Sequence, residues 1–248
     1  MNLCDLMDTK IVVIVRVRDE EHRIAHFCEA YKDADMILVG DGGSVDNTVE
    51  IAKTFSNVVV GHYPGRVQLE RGYWRNSDGD HTNWMIEWAK EYNPRWIISD
   101  DCDCRPNFLL RKDYRKILSE AERDFVMAVR FYVWGLNEHF PHMAMPESKH
   151  SYYETSLWAW RGDLDFYTVD VPPAFTFRLG DMKIKDFHDD TDVLDLLPPY
   201  ALIHYSWDDE ERVMRKIKTY RESGLIPNQL HPLHFAGPLE PIPEFLHE

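Results

Sequence analysis

The first sustained signal in the chain is Ile11-Val12-Val13-Ile14-Val15, an apolar β-branched run with no polar residue inside it. A strand with one wet face alternates, so this run predicts a strand covered on both faces, as in a parallel sheet. Asp19-Glu20-Glu21 predicts a helix start with an N-cap and an acidic first turn, and Ile24, Phe27, Cys28 and Tyr31 recur at helical spacing. Met36 to Val39 is a second apolar run. It leads into the turn-rich Gly40-Asp41-Gly42-Gly43-Ser44-Val45-Asp46-Asn47-Thr48 and a helix carrying Val49, Ile51, Ala52 and Phe55. Val58 to Val60 predicts a third strand, Asn83 to Tyr92 a helix, and Trp96 to Ile98 a fourth strand.

Strand alternating with helix predicts an α/β fold with a mostly parallel central sheet, and in such sheets ligands gather at the carboxyl ends of the strands. Gly40 to Thr48 and Ser99 to Arg105 fall there, and both are rich in Asp. In Asp101-Cys102-Asp103, read as extended, both carboxylates point the same way and Cys102 points to the core. Two carboxylates with open positions beside them suit a hard divalent cation carrying a diphosphate.

Composition narrows the partners. The 248 residues are 44% hydrophobic and 29% charged, enough for one large folded domain. A formal net charge of -15 has the wrong sign for a protein that neutralises a nucleic-acid backbone. Cys4, Cys28, Cys102 and Cys104 form neither a paired zinc pattern nor a disulfide scaffold, which favours a reducing, cytoplasmic location. No apolar run reaches the roughly 20 residues of a membrane span, and Asp5 and Asp8 do not suit a signal peptide.

Together these segments resemble the family 2 glycosyltransferases of the GT-A fold, over about the first 110 residues. Val15-Arg16-Val17-Arg18-Asp19-Glu20-Glu21 is similar to that family's Asn-Glu-Glu turn, with Asp19 for the usual Asn. Asp41 to Thr48 is similar to its Asp-Asp-Gly-Ser-Thr-Asp-Asn-Thr, with Gly42 for the second Asp. Asp101-Cys102-Asp103-Cys104 is similar to Asp-Ala-Asp-Glu, with Cys104 where the family has Glu. The resemblance implies a Rossmann-like GT-A domain. It further implies a donor site in which Asp41 takes a hydrogen bond from the nucleotide base, with Glu20 and Ser44 also on the donor side. Asp101 would lie near ribose and metal, and Asp103 would bind Mn²⁺ or Mg²⁺ bridging the diphosphate of a nucleotide sugar, a UDP-sugar being favoured. Tyr200 to Glu222 is similar to an Ile-x-His-Tyr segment of a subgroup, which implies His204 as a third metal ligand; imidazole suits Mn²⁺ beside carboxylates.

The expected organisation is one domain over 1–248: a donor half at about 9–110, a less regular acceptor half at about 111–224, and a proline-rich strap at 225–248. Asp208 to Glu211 reads as the acidic first turn of a helix whose later part carries Arg215, Lys216, Lys218 and Arg221. Trp134, Trp158, Trp160 and Trp207 are the aromatics placed nearest an acceptor sugar, with core packing the competing account for each; Trp74, Trp84, Trp88 and Trp96 read as structural. An inverting transferase needs a general base, and the family's spacing from the Asp pair points to Asp189 or Asp190, beside His188; a retaining mechanism without such a base is the alternative. The expected function is transfer of a sugar from a nucleotide diphosphate donor to an acceptor hydroxyl of a saccharide, modified nucleobase, protein or small molecule. The alternatives are a catalytically degenerate sugar- or ion-binding module and a sugar-phosphate nucleotidyltransferase. The latter wants a Gly-rich basic loop after the first strand, and Arg16 to Glu21 contains no Gly.

Overall fold

The computed structural model describes residues 10–65, 68–70, 73–75, 78–134, 138–140, 154–171, 174–179, 182–183, 192–207, 240–241 and 244. In chain order the first half gives β1 (Ile11–Val17), α1 (Ile24–Ala30), β2 (Met36–Asp41), α2 (Thr48–Ala52) and β3 (Val58–His62). Then come a hairpin of β4 (Gln68–Glu70) and β5 (Tyr73–Arg75), α3 (Asp78–Lys90), β6 (Trp96–Ser99), β7 (Cys104–Pro106) and α4 (Phe108–Glu120). Among the described residues the remaining elements are strands: β8 (Phe125–Trp134), β9 (Glu138–Phe140), β10 (Glu154–Arg161), β11 (Phe166–Val171), β12 (Ala174–Leu179), β13 (Met182–Lys183), β14 (Val193–Leu196), β15 (Leu202–Trp207) and β16 (Glu240–Pro241).

The main sheet runs β16-β9-β8-β10-β6-β1-β2-β3, with β14 and β15 also on β8 and β7 on β15. β6, β1, β2 and β3 are mutually parallel, as the uninterrupted apolar runs required. Val13 and Val15 face one layer, with Ile24, Phe27 and Tyr31 of the α1 segment and Leu110 and Tyr114 of α4. Val12 and Ile14 face the other, with Met85, Ile86 and Ala89 of α3. Both faces of β1 are therefore dry, and a polar residue on either would lose water without replacement. Antiparallel pairs begin at β10, which lies against both β6 and β8. From the C-terminal segment, Glu240 and Pro241 add to the sheet beside β9. The strap is otherwise outside the described residues, as is the helix expected from Asp208 onward.

The first loop departs from the expectation. Asp19-Glu20-Glu21 does not open a helix: α1 begins at Ile24, with no acidic residue in its first turn and no side-chain cap. The three residues instead join the loop after β2. Asp19 N–H donates to Ser44 Oγ, Glu20 N–H to Thr48 Oγ1 and Glu21 N–H to Asp46 Oδ2. In return Asp19 Oδ1 accepts from Val45 N–H, and Glu21 Oε2 accepts from the backbone and side chain of Asn47. Asp19 sits at φ 55, a left-handed conformation that Asp and Asn tolerate better than most side chains. A cap would satisfy donors within one helix; here the same groups satisfy donors across two loops. α3 starts earlier than expected, at Asp78.

The tryptophans sort by layer. Trp158 packs in the α1 layer and Trp160 in the α3 layer against Phe166 and Phe177, and neither is exposed. They are core residues and do not face an acceptor. Trp96 is also buried, and Trp84 and Trp88 pack partly buried on the α3 layer; the side chains of Trp74, Trp134 and Trp207 lie outside the described residues. Cys28, Cys102 and Cys104 are free thiols in the core.

Asp46 ties the two loops together, accepting from Glu21 N–H, Thr48 N–H and Thr48 Oγ1. Burial raises its carboxyl pKa, but the Thr48 and Glu21 bonds outweigh that and hold it below the ordinary value. Asp46→Ala should therefore lower unfolding stability by about 1–2 kcal/mol in urea melts at pH 7. A depressed carboxyl stabilises above its unfolded pKa, so the gap between parent and variant should close as pH falls below about 4.

Candidate active site

Asp101, Asp103 and His204 each offer a ligand atom, and these atoms lie within 4.8 Å of one another. Three stretches of chain bring them there. β6 ends at Ser99; Asp101 to Cys104 then forms a tight turn closed by Cys104 N–H on the Asp101 carbonyl at 2.8 Å. β7 leaves that turn and pairs antiparallel with β15, setting His204 opposite Cys104. Tyr205 N–H donates to the Asp103 carbonyl at 2.6 Å, and His204 Nε2 lies 3.2 Å from Asp103 Oδ1. The side chains of Asp103 and His204 are 11% and 13% exposed, whereas that of Asp101 is 49% exposed. The carboxylates thus converge, but through a turn and not through an extended segment. Cys102 points inward, as expected, into the α1 layer.

Beneath the pair lies a carboxylate to which the sequence reading assigned no role. Asp100 is buried, its Oδ2 accepting from the Tyr31 hydroxyl at 2.8 Å and its Oδ1 from Asp101 N–H at 3.0 Å. The Tyr31 hydroxyl in turn accepts from Trp158 Nε1 at 3.1 Å. Arg130 of β8 reaches Asp100 at 3.6 Å and Asp101 at 3.7 Å, and Arg16 at the end of β1 reaches Asp101 at 3.7 Å. Burial pushes the Asp100 carboxyl up to about 6, against the pull of Arg130 and the Tyr31 hydroxyl. Cys104, where a carboxylate stands in the resembled motif, is buried with its thiol against Asp100, and burial raises its pKa well above the ordinary thiol value. It supplies no acid to the open side of the site.

Two strands away, Asp41 closes β2. Its Oδ1 accepts from Ser44 N–H at 2.9 Å and its Oδ2 from Gly43 N–H at 3.2 Å, while His62 Nδ1 of β3 lies 3.1 Å from Oδ2. Burial raises this carboxyl, but the bonds from Ser44, His62 and Gly43 more than compensate and hold it below the usual carboxylate range. Ser44 and Glu20 are placed on either side of the joined loops, and Glu20 also pairs with Arg23 at 3.6 Å. Gly40, just before Asp41, has no room for a side chain: a Cβ there would lie 2.2 Å from Met85 Sδ and 2.8 Å from His81 Nε2. Burial pushes His81 down to about 4, with Arg16 adding to the effect, and its ring stacks on Tyr63 at 4.2 Å.

The structure therefore brings together Asp101, Asp103 and His204, and places Asp41, Ser44 and Glu20 along the same sheet edge. Asp189 and Asp190, with His188, lie outside the described residues. Sequence reasoning missed Asp100, Arg16, Arg130, Tyr31 and His62. Arg130 carried a legible signal, a lone charge within the apolar strand Phe125 to Val133.

No protein-family model matches the chain, and no curated protein sequence matches it. Among solved structures it is similar to S. aureus TarS 1–349, with a TM-score of 0.53 at 17% identity, covering 91% of this chain and 68% of that one. It is also similar to a second S. aureus TarS structure (TM-score 0.49, 15% identity), covering 91% of this chain and 41% of that one. Glucosyl-3-phosphoglycerate synthase from Mycobacterium tuberculosis, solved with Mn²⁺ and UDP-glucose, aligns over 52% of this chain and 46% of its own (TM-score 0.37, 19% identity). The fold is the GT-A fold of glycosyltransferases, and the Asp-Asp-His cluster resembles a DxD motif. Among the described residues no helix is long and apolar enough to cross a membrane.

The buried carboxyl makes a pH test in metal-free protein. A carboxyl whose folded pKa is raised binds its proton more tightly folded than unfolded, so it favours the fold below about 4 and loses that contribution as pH rises through about 6. Asp100→Asn should remove this slope. In urea melts with EDTA, the parent should lose stability relative to the variant, on the order of 2–3 kcal/mol, between pH 4 and pH 7.

Proposed function

We propose that this chain transfers a sugar from a nucleotide diphosphate sugar, with a UDP-sugar the favoured donor, to an acceptor hydroxyl. The observation that carries the reading is the convergence of Asp101, Asp103 and His204 at the carboxyl edge of the parallel strands of a GT-A fold. Two carboxylates and one imidazole suit Mn²⁺ or Mg²⁺ and leave coordination positions for phosphate oxygens. Bound there, the dication would stabilise the charge that develops on the departing diphosphate.

The chain's own groups prepare that chemistry. Asp103 and His204, both largely enclosed and tied to β15, form the rigid side of the site; Asp101, half exposed, forms its open side. Arg16 and Arg130 lie against Asp101 and supply positive charge beside the position of the phosphates. Deprotonation of the acceptor falls, in this reading, to Asp189 or Asp190.

The test is thermal unfolding with UDP-sugars, each with Mn²⁺, with Mg²⁺ and with EDTA. A ligand at about a hundred times its dissociation constant adds roughly 2.7 kcal/mol, which for a chain of this size is about 5–10 °C. The expected result is a metal-dependent shift with at least one donor, absent from Asp103→Ala. Turnover of that donor then separates a transferase from a binding module. A parent protein that no nucleotide sugar stabilises under any metal condition would sink the reading.

A further inference from the structure

The carboxyl edge of the sheet carries a second pair of groups, at the end away from the metal cluster. Strand order β6-β1-β2-β3 puts Asp101 and Asp103 after one outer strand and His62 at the end of the other. Three inter-strand steps of about 4.8 Å separate these strands by roughly 14 Å, the length scale of an extended nucleoside diphosphate. With the diphosphate at the Asp cluster, the base falls at the Asp41–His62 end.

What Asp41 can accept there is limited by its neighbours. Its carboxylate is 3% exposed, and its two oxygens already accept from Gly43 N–H and Ser44 N–H and face His62 Nδ1. It is held ionised by these bonds, so it is an acceptor only, and the His62 nitrogen facing it must carry the proton. In the neutral ring that leaves Nε2 as an acceptor, on a side chain that is 73% exposed. Asp41 fixes the tautomer, and His62 presents the result to solvent.

We propose that His62 Nε2, oriented by Asp41, is the specificity-determining acceptor for the donor's base, and that it selects a base whose ring nitrogen carries a proton. Uracil (N3–H) and guanine (N1–H) present a donor there; cytosine (N3) and adenine (N1) present a lone pair, which would face the Nε2 lone pair. This deepens the proposed function and rests on its placing the diphosphate at Asp101 and Asp103. It differs from direct reading by Asp41, in which His62 merely covers the carboxylate.

The test is calorimetric titration of UDP, GDP, CDP and ADP, each with Mn²⁺, into the parent and His62→Ala, with melting curves to verify that the variant is folded. The parent should prefer UDP to CDP by about tenfold, the factor one well-formed hydrogen bond supplies. In His62→Ala that ratio should fall to within about twofold, while CDP affinity stays as in the parent or rises and the dependence on Mn²⁺ is kept. A purely structural role for His62 would weaken all four nucleotides together, and that result overturns the proposal. A preserved UDP-to-CDP ratio, or tighter UDP binding once His62 is removed, assigns the base to Asp41 and overturns it as well. If the parent binds no nucleotide diphosphate with Mn²⁺, the transferase reading fails first, and this inference with it. Metal-dependent binding without the predicted change in ratio overturns the inference alone.

Discussion

The site depends on one buried charge. Asp100 lies under Asp101 with no exposure of its side chain, and a carboxylate in that position is costly unless its oxygens are met by donors and an opposite charge. Its partners come from separate parts of the fold: Tyr31 from the end of α1, Arg130 from β8, the Cys104 thiol from the start of β7, and the backbone of Asp101. Trp158 of β10 holds the Tyr31 hydroxyl from behind. Besides the pairing of β6 with β10, this cluster ties the parallel strands to the antiparallel C-terminal ones. The chain turns there to present Asp101 and Asp103, so meeting the needs of one buried group also positions the two candidate ligands.

Three carboxylates within four residues repel one another, and the surrounding groups decide how that repulsion is offset. Arg130 spans Asp100 and Asp101, Arg16 reaches Asp101 from β1, and His204 faces Asp103 from β15. None of these contacts is a close, bidentate pair, and Asp101 remains half in water. The two carboxylates differ in setting: Asp101 is half exposed, whereas Asp103 is largely enclosed and its backbone carbonyl accepts from Tyr205 N–H.

The parts of this molecule legible in the sequence are those fixed by local pattern. The run Ile11 to Val15 reads as a strand buried on both faces because each of its faces meets a dry layer, and the Asp pair reads as a ligand site because it follows such a strand. What was not legible depends on contacts far apart in the chain. Asp19 to Glu21 have the composition of a helix start, yet their donors and acceptors are matched more completely by Ser44 to Thr48, so tertiary pairing displaces local capping. Arg130 and Tyr31 are separated from Asp101 by long stretches of chain, and no spacing rule links them. The side chains of Trp158 and Trp160 point to opposite layers because they are two apart on a strand with a register shift between Leu157 and Ala159, which a list of aromatics does not reveal.

The same residue type at two strand ends thus takes different roles, and the count of open lone pairs explains why. Asp41 ends β2 in a Gly-rich turn whose N–H groups fold back onto it, and His62 meets it from the neighbouring strand. Its carboxylate is held ionised but is almost fully occupied, so its charge acts through what it orients. Asp101 and Asp103 end their strand in a turn closed by a backbone bond, Cys104 N–H to the Asp101 carbonyl, which leaves their carboxylate oxygens facing one another and His204. Their capacity to accept is directed into shared space. A motif aligns both places as aspartates at the mouth of a sheet; which of them meets a ligand directly follows from how many acceptor positions the fold has left open.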